Sequence, residues 1–184
     1  MNFRYGPVAA GMAAICLIAA APSFASSKVQ IDHGASRALK RFYAINPANQ
    51  ALVDKAAGVL IFSKLTKAGA GIGGEFGEGV LRVNGQSVAY YSLGSASVGL
   101  TLGAGEHREI ILFMTPDSLD QFRHSEGWSV GADASFAMVT EGDGGQYDSA
   151  TMGKPVLGFI FGEKGLLGDA SLQGTKITKI KTGG

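Results

Sequence analysis

Cysteine occurs once in the 184 residues, at Cys16, inside an N-terminal stretch that reads as a removable leader. The rest of the chain therefore has no thiol catalyst, disulfide or cysteine-based zinc site. A charge excess of one sign is also missing. Sixteen Lys and Arg face fifteen Asp and Glu, a net of +1, which argues against a dedicated nucleic-acid binder. Charged residues make up only 17% and hydrophobic ones 46%, a balance that excludes a disordered chain. No Walker loop is present, and Gly94-Ser95-Ala96-Ser97-Val98-Gly99 has the wrong spacing for a nucleophile elbow. What the chain has in plenty is glycine. There are 28, about twice the average ~7% and without a collagen period. That favours strands, turns and close backbone packing over a helical bundle.

Residues 1–25 read as a signal peptide. Arg4 lies in a short basic start, residues 8–21 form an apolar run, and Ser23-Phe24-Ala25 supplies a small-x-small cleavage pattern. The expected cut falls between Ala25 and Ser26, giving an exported, periplasmic protein peripheral to a membrane. The apolar run falls short of the ~20 residues of a comfortable span. A lipoprotein signal ending at Cys16 is the competing reading. Ile15, however, occupies the place where a lipobox wants a small residue. Residues 26–184 show neither repeat nor linker and are expected to form one domain.

Charge is balanced in sum but not in place. Residues 28–67 carry Lys28, Arg37, Lys40, Arg41, Lys55, Lys64 and Lys67 against only Asp32 and Asp54. Residues 68–170 are strongly acidic, and the tail adds Lys176, Lys179 and Lys181. This asymmetry marks the N-terminal segment as the face that meets anions.

Ile31, Ala35, Ala38, Leu39 and Phe42 form a helical apolar stripe, with Arg37, Lys40 and Arg41 on the opposite side. Asn46-Pro47 should end that helix, and residues 47–56 suit a second, stopped by Gly58. Strand character then takes over. Residues 59–62 are a short buried run, and residues 80–91 form a hairpin around Asn84-Gly85. Residues 95–102 and 109–114 read as a further antiparallel pair. Thr115-Pro116 opens a short helix that carries Leu119 and Phe122 inward. Residues 128–139 read as one long strand, residues 156–172 as a last hairpin, and residues 176–180 as a final strand. The expected fold is α+β: a single domain with a curved antiparallel or barrel-like sheet, N-terminal amphipathic helices and one further short helix.

Chemical motifs fail on inspection. Gly69-x-Gly71-x-x-Gly74 matches a dinucleotide fingerprint, but no helix start follows it, so close packing of a strand is the better reading. His33, His107 and His124 show no ligand spacing, and Glu75 and Glu78 would point to opposite faces of a strand. Glu141, Asp143 and Asp148 lack the alternation of an EF-hand loop. No nucleophile–base pair can be named. The reading contains no catalytic residue, no metal site and no cofactor.

Several motifs, in order along the chain, resemble the SYLF domain. They begin with Lys55-Ala56 and Gly58-Val59-Leu60-Ile61-Phe62. Next comes Lys67-Ala68-Gly69-x-Gly71-Ile72-Gly73-Gly74-Glu75-x-Gly77-Glu78-Gly79. Gly127-Trp128-Ser129-Val130-Gly131, Lys154-Pro155-Val156-Leu157-Gly158-Phe159 and Leu172-x-Gly174-Thr175-Lys176 complete the set. The likeness runs over about residues 31–180. It implies a non-enzymatic phospholipid-binding module that uses an N-terminal amphipathic helix and basic residues. The matching positions are residues 31–43 with Lys64 and Lys67. Eukaryotic relatives prefer phosphoinositides and fungal ones touch actin. This chain has no SH3 or FYVE partner and carries an export signal, so actin is not expected. The expected partner is anionic phospholipid, met through Arg37, Lys40, Arg41, Lys55, Lys64 and Lys67. The alternative is an envelope module that binds a protein partner, lipid contact being incidental.

Overall fold

The structure, a computed structural model, describes residues 26–129, 135–140, 149–165 and 175–181. Ser27 starts the first helix, α1 (Lys28–Ile45), with a capping box. Its Oγ accepts the Gln30 N–H at 3.3 Å, while Gln30 Oε1 accepts the Ser27 N–H at 3.2 Å. Two orphan donors are thereby satisfied. Asn46, extended at φ −149°, ends α1 ahead of Pro47, and α2 (Ala48–Lys55) follows. Buried Asn49 donates from Nδ2 to the Phe42 carbonyl at 2.8 Å, fastening the second helix to the end of the first.

The next two elements are unusually long strands, β1 (Gly58–Val83) and β2 (Gln86–Phe113), joined by Asn84 at φ 50° and Gly85 at φ 76°. Two consecutive positive φ values are those of a type I′ turn. The strands pair from Val83↔Gln86 back to Gly58↔Phe113, with register shifts at Phe62/Leu65, Ala70/Ile72 and Leu81/Arg82. A straight strand of this length would run ~80 Å. Instead the hairpin curls back on itself. A Cβ at Gly79 would lie 2.6 Å from both the Ile61 oxygen and the Phe62 ring, and one at Gly77 would collide with the Lys64 carbonyl. Only glycine lets the far half of β1 cross its near half so closely.

After β2 come α3 (Pro116–His124), β3 (Trp128–Ser129), β4 (Phe136–Thr140), α4 (Ser149–Met152), β5 (Val156–Gly165) and β6 (Lys176–Ile180). Thr115 caps α3 by accepting the Ser118 N–H. The sheet order is β3-β6-β2-β5-β4, with β1 on the other edge of β2. Strand β5 takes the end of β2 near residues 105–113, and β6 takes residues 90–94.

Alternation along the hairpin makes two cores. One face places Leu60, Phe62, Leu65, Ile111 and Phe113 against Leu119, Phe122 and Trp128. The other places Ile61, Ile110, Leu112, Phe159 and Phe161 against Ile31, Ala35, Ala38 and Phe42 of α1. This is an α+β single sheet, curved as expected.

Four expectations need correction. Residues 95–102 and 109–114 do not pair with each other. Both lie in β2, and each pairs with a different part of β1. The expected strand over 128–139 is two strands, β3 beside β6 and β4 beside β5, far apart in the sheet order. Strand β5 continues through Gly162 to Gly165 rather than turning there; residues 166–174 lie outside the described residues. Finally the sheet is mixed, because β4 and β5 are parallel, and a parallel neighbour requires a longer crossover than a hairpin turn. Residues 1–25 and the acidic stretch 141–148 also lie outside the described residues. Among the described residues no helix is long and apolar enough to cross a membrane.

Candidate functional site

Helix α1 presents three adjacent rows. The core row is Ile31, Ala35, Ala38 and Phe42. One residue later runs the row Asp32, Ser36, Leu39 and Tyr43, which is tied to the hairpin tip. Arg82 Nη2 donates to the Asp32 carbonyl at 3.1 Å and to Ser36 Oγ at 3.0 Å. Ser87 Oγ and Tyr90 Oη donate to the two Asp32 carboxylate oxygens at 2.7 and 2.9 Å.

One residue before the core row runs Gln30, Gly34, Arg37 and Arg41, and this row lines a cleft of about 560 Å³. The opposite wall holds Ser63, Lys64, Glu78 and Arg108. Gly34 brings helix and strand together, since a Cβ there would collide with Ser63 Oγ. At the end of the cleft Arg108 Nη1 donates to the Gly162 carbonyl at 3.3 Å. A Cβ on Gly162, itself at φ 65°, would fall 2.5 Å from Arg108 Nη1 and 3.3 Å from Arg41 Nε. Two guanidinium groups thus converge over one glycine. Guanidinium forks suit the oxygens of phosphate and carboxylate groups.

Among the described residues, four cationic side chains and one carboxylate line this cleft. Glu78 accepts the Ser26 N–H at 2.8 Å. Lys64 Nζ lies 2.6 Å from Glu106 Oε1, with both side chains largely exposed, so the pair restrains Lys64 only weakly. Of the six positions expected from sequence, the fold brings Arg37, Arg41 and Lys64 together. Lys40 is exposed on the outer side of α1, Lys55 is exposed at the end of α2, and Lys67 lies further along β1; none lines the cleft. Arg108 was missed. It belongs to the acidic middle of the sequence, and only the β1–β2 pairing carries it beside Lys64.

The opposite face of the same strand holds a different cluster. Glu109, the neighbour of Arg108, is fully buried, as are Glu75 and His107 to within a few percent. His107 Nε2 lies 3.2 Å from Glu75 Oε1. Ligand-type atoms of all three residues fall within 4.8 Å of one another. Both Glu109 oxygens, Glu75 Oε1 and His107 Nδ1 have no hydrogen-bond partner among the described residues. Burial first, and the Glu75 charge second, hold the Glu109 carboxyl well above the usual carboxylate range. His107 shows no ligand spacing in the sequence, yet in the fold it is a buried strand residue beside Glu75 and Glu109. His107 and Glu109 share a face because they are two apart on β2, and the curl of the hairpin delivers Glu75.

A search of curated proteins gave no match. A family model does match residues 94–182, which include most of β2 and the strands beyond it. Its description is "Ysc84: Las17-binding protein actin regulator". The match falls on the part of the chain that contains the Gly127-Trp128 and Lys154-Pro155 motifs. Residues 94–182 are thus similar to the Ysc84, or SYLF, family, which agrees with the resemblance carried by the motifs of the sequence.

Proposed function

We propose that this protein is a non-enzymatic envelope module that binds anionic phospholipid headgroups in the cleft between α1 and the β1–β2 hairpin. The observation that carries this reading is the convergence of Arg37, Arg41, Lys64 and Arg108 on one cleft of about 560 Å³. A phosphodiester headgroup needs a few fixed donors and positive charge, with the acyl chains left outside. Phe76 supports a membrane-facing orientation. It is 59% exposed on β1, two residues from Glu78 and therefore on the same strand face. An exposed aromatic beside a basic cleft suits the boundary between headgroups and acyl chains. Export with a cut after Ala25 belongs to the same proposal. It would make Ser26 N an ammonium group beside Glu78, neutralising that carboxylate of the cleft.

Co-sedimentation of folded protein with vesicles of phosphatidylglycerol, phosphatidylethanolamine or phosphatidylcholine tests the proposal. The expected result is binding to the anionic vesicles alone, strongly reduced by R37Q/R41Q/K64Q. Undiminished binding by the folded triple variant would remove the cleft as the lipid site. No binding of the wild type to any vesicle would favour the protein-partner reading, for which the family description names Las17 and actin regulation.

A further inference from the structure

We propose that Glu75, His107 and Glu109 form an internal binding site for one divalent first-row transition-metal ion of the zinc type, which pins the curled hairpin. Three observations carry it. The first is the donor set: one imidazole and two carboxylates, all from side chains with no more than 7% exposure. Imidazole and carboxylate donors suit zinc and its first-row neighbours, whereas calcium and magnesium favour an all-oxygen shell.

The second is geometry. With bonds of 2.0–2.1 Å, two ligands of a tetrahedral ion stand ~3.3 Å apart. His107 Nε2 and Glu75 Oε1 are 3.2 Å apart, and Glu75 Oε1 has no hydrogen-bond partner among the described residues. Glu109 completes the set with a movement on the order of 1 Å, well within a carboxylate side chain's rotamer freedom.

The third is unanswered charge. Glu109 lies in the interior, and among the described residues both its oxygens are unpartnered and no lysine or arginine is paired with Glu75 or Glu109. Buried carboxylates are stable when protonated, paired or bound to a metal. A dication would balance two of them at once. It would also join β2 to the far half of β1, because Glu75 pairs in the ladder with Ser95, twelve residues from His107. The metal would therefore hold the same bend that Gly77 and Gly79 permit.

The full chain, carrying no histidine tag, is stripped with chelator, dialysed against Zn²⁺, Mn²⁺ or Co²⁺ and analysed for bound metal by mass spectrometry. One Zn²⁺ per chain is expected, with a melting temperature several degrees above the stripped protein and visible d–d bands for the Co²⁺ form. E109Q keeps the volume of the side chain and removes its charge; it should bind at least tenfold more weakly and lose the thermal shift. H107Q should do the same. H33A/H124A, which removes only exposed histidines, should retain the metal. The proposal is overturned if the stripped wild type takes up none of the three ions, or if E109Q and H107Q hold Zn²⁺ as tightly as the wild type. The cluster would then be a protonated carboxyl beside a His–Glu contact. If neither variant folds, wild-type stoichiometry and the Co²⁺ spectrum decide the matter alone.

Discussion

Tyr90 Oη donates to Asp32 Oδ2 at 2.9 Å and so ties the hairpin to the first turns of α1. Ser87 holds the other oxygen of the same carboxylate. These bonds fix the rotation of the helix about its axis. With the Asp32 row held on one flank, the Arg37–Arg41 row must face the cleft on the other. Asp32→Ala would leave the Ser87 and Tyr90 hydroxyls without their acceptor, while Arg82, bonded to the main-chain carbonyl of residue 32 and to Ser36, keeps its own. A loss of about 1–3 kcal/mol is expected in urea unfolding, accompanied by weaker vesicle binding as the helix loses its set rotation.

The same bond gives a pH signature. Burial first, then the hydrogen bond to Asp32, raise the Tyr90 hydroxyl above its ordinary pKa of 10.0. A group whose folded pKa is raised contributes stability fully below its unfolded pKa and loses it as pH climbs through the folded value. Wild-type stability should therefore fall above pH 10 more steeply than that of Tyr90→Phe. Denaturant midpoints measured from pH 8 to 11 would show whether the two curves converge.

Lipid binding by the cleft should be electrostatic in character. The Debye length drops from ~10 Å at 0.1 M salt to ~3 Å at 1 M, so binding to anionic vesicles should fall steeply over that range. Each basic residue near the surface is worth ~1 kcal/mol. Arg37→Gln with Arg41→Gln should then weaken binding by roughly thirtyfold. Lys40→Gln with Lys55→Gln, outside the cleft, should have a smaller effect. Equal losses in the two pairs would indicate a diffuse surface in place of a site.

Gly162→Ala tests the arginine pair without touching a charge. The new methyl would displace the Arg108 and Arg41 guanidinium groups and place alanine at φ 65°. A stability cost of about 1–2 kcal/mol is expected from the left-handed backbone, with a larger proportional loss in vesicle affinity. Retained affinity at reduced stability would mean that convergence over Gly162 is unnecessary for binding.

Phe42→Ala should damage the fold itself. The ring is 2% exposed and meets Phe159 edge-on at 4.9 Å and Phe161 at 5.5 Å. Removing it should cost about 3–5 kcal/mol. Gly79→Ala should also destabilise, by about 1–3 kcal/mol, because the Ile61 backbone cannot yield to the added methyl. Urea unfolding checks both.

Local chemistry alone determined much of this molecule. The apolar stripe from Ile31 to Phe42, Pro47 after Asn46, the Asn84-Gly85 turn and the Thr115-Pro116 cap each specify their element through backbone sterics and helix periodicity. The basic cleft was half legible. The helical period set Arg37, Lys40 and Arg41 opposite the core stripe, whereas Arg37 and Arg41 flank it and line the cleft; periodicity does not reveal which flank will be covered. That choice was made by Asp32 meeting Ser87 and Tyr90, residues fifty-five and fifty-eight positions away. Arg108 and the Glu75–His107–Glu109 cluster were not legible. A period of two says that His107 and Glu109 share a face. It does not say that a 26-residue strand will fold back far enough to bring Glu75 against them. The curl depends on backbone meeting backbone at Gly77 and Gly79, a close approach that exists only once the hairpin has closed on itself.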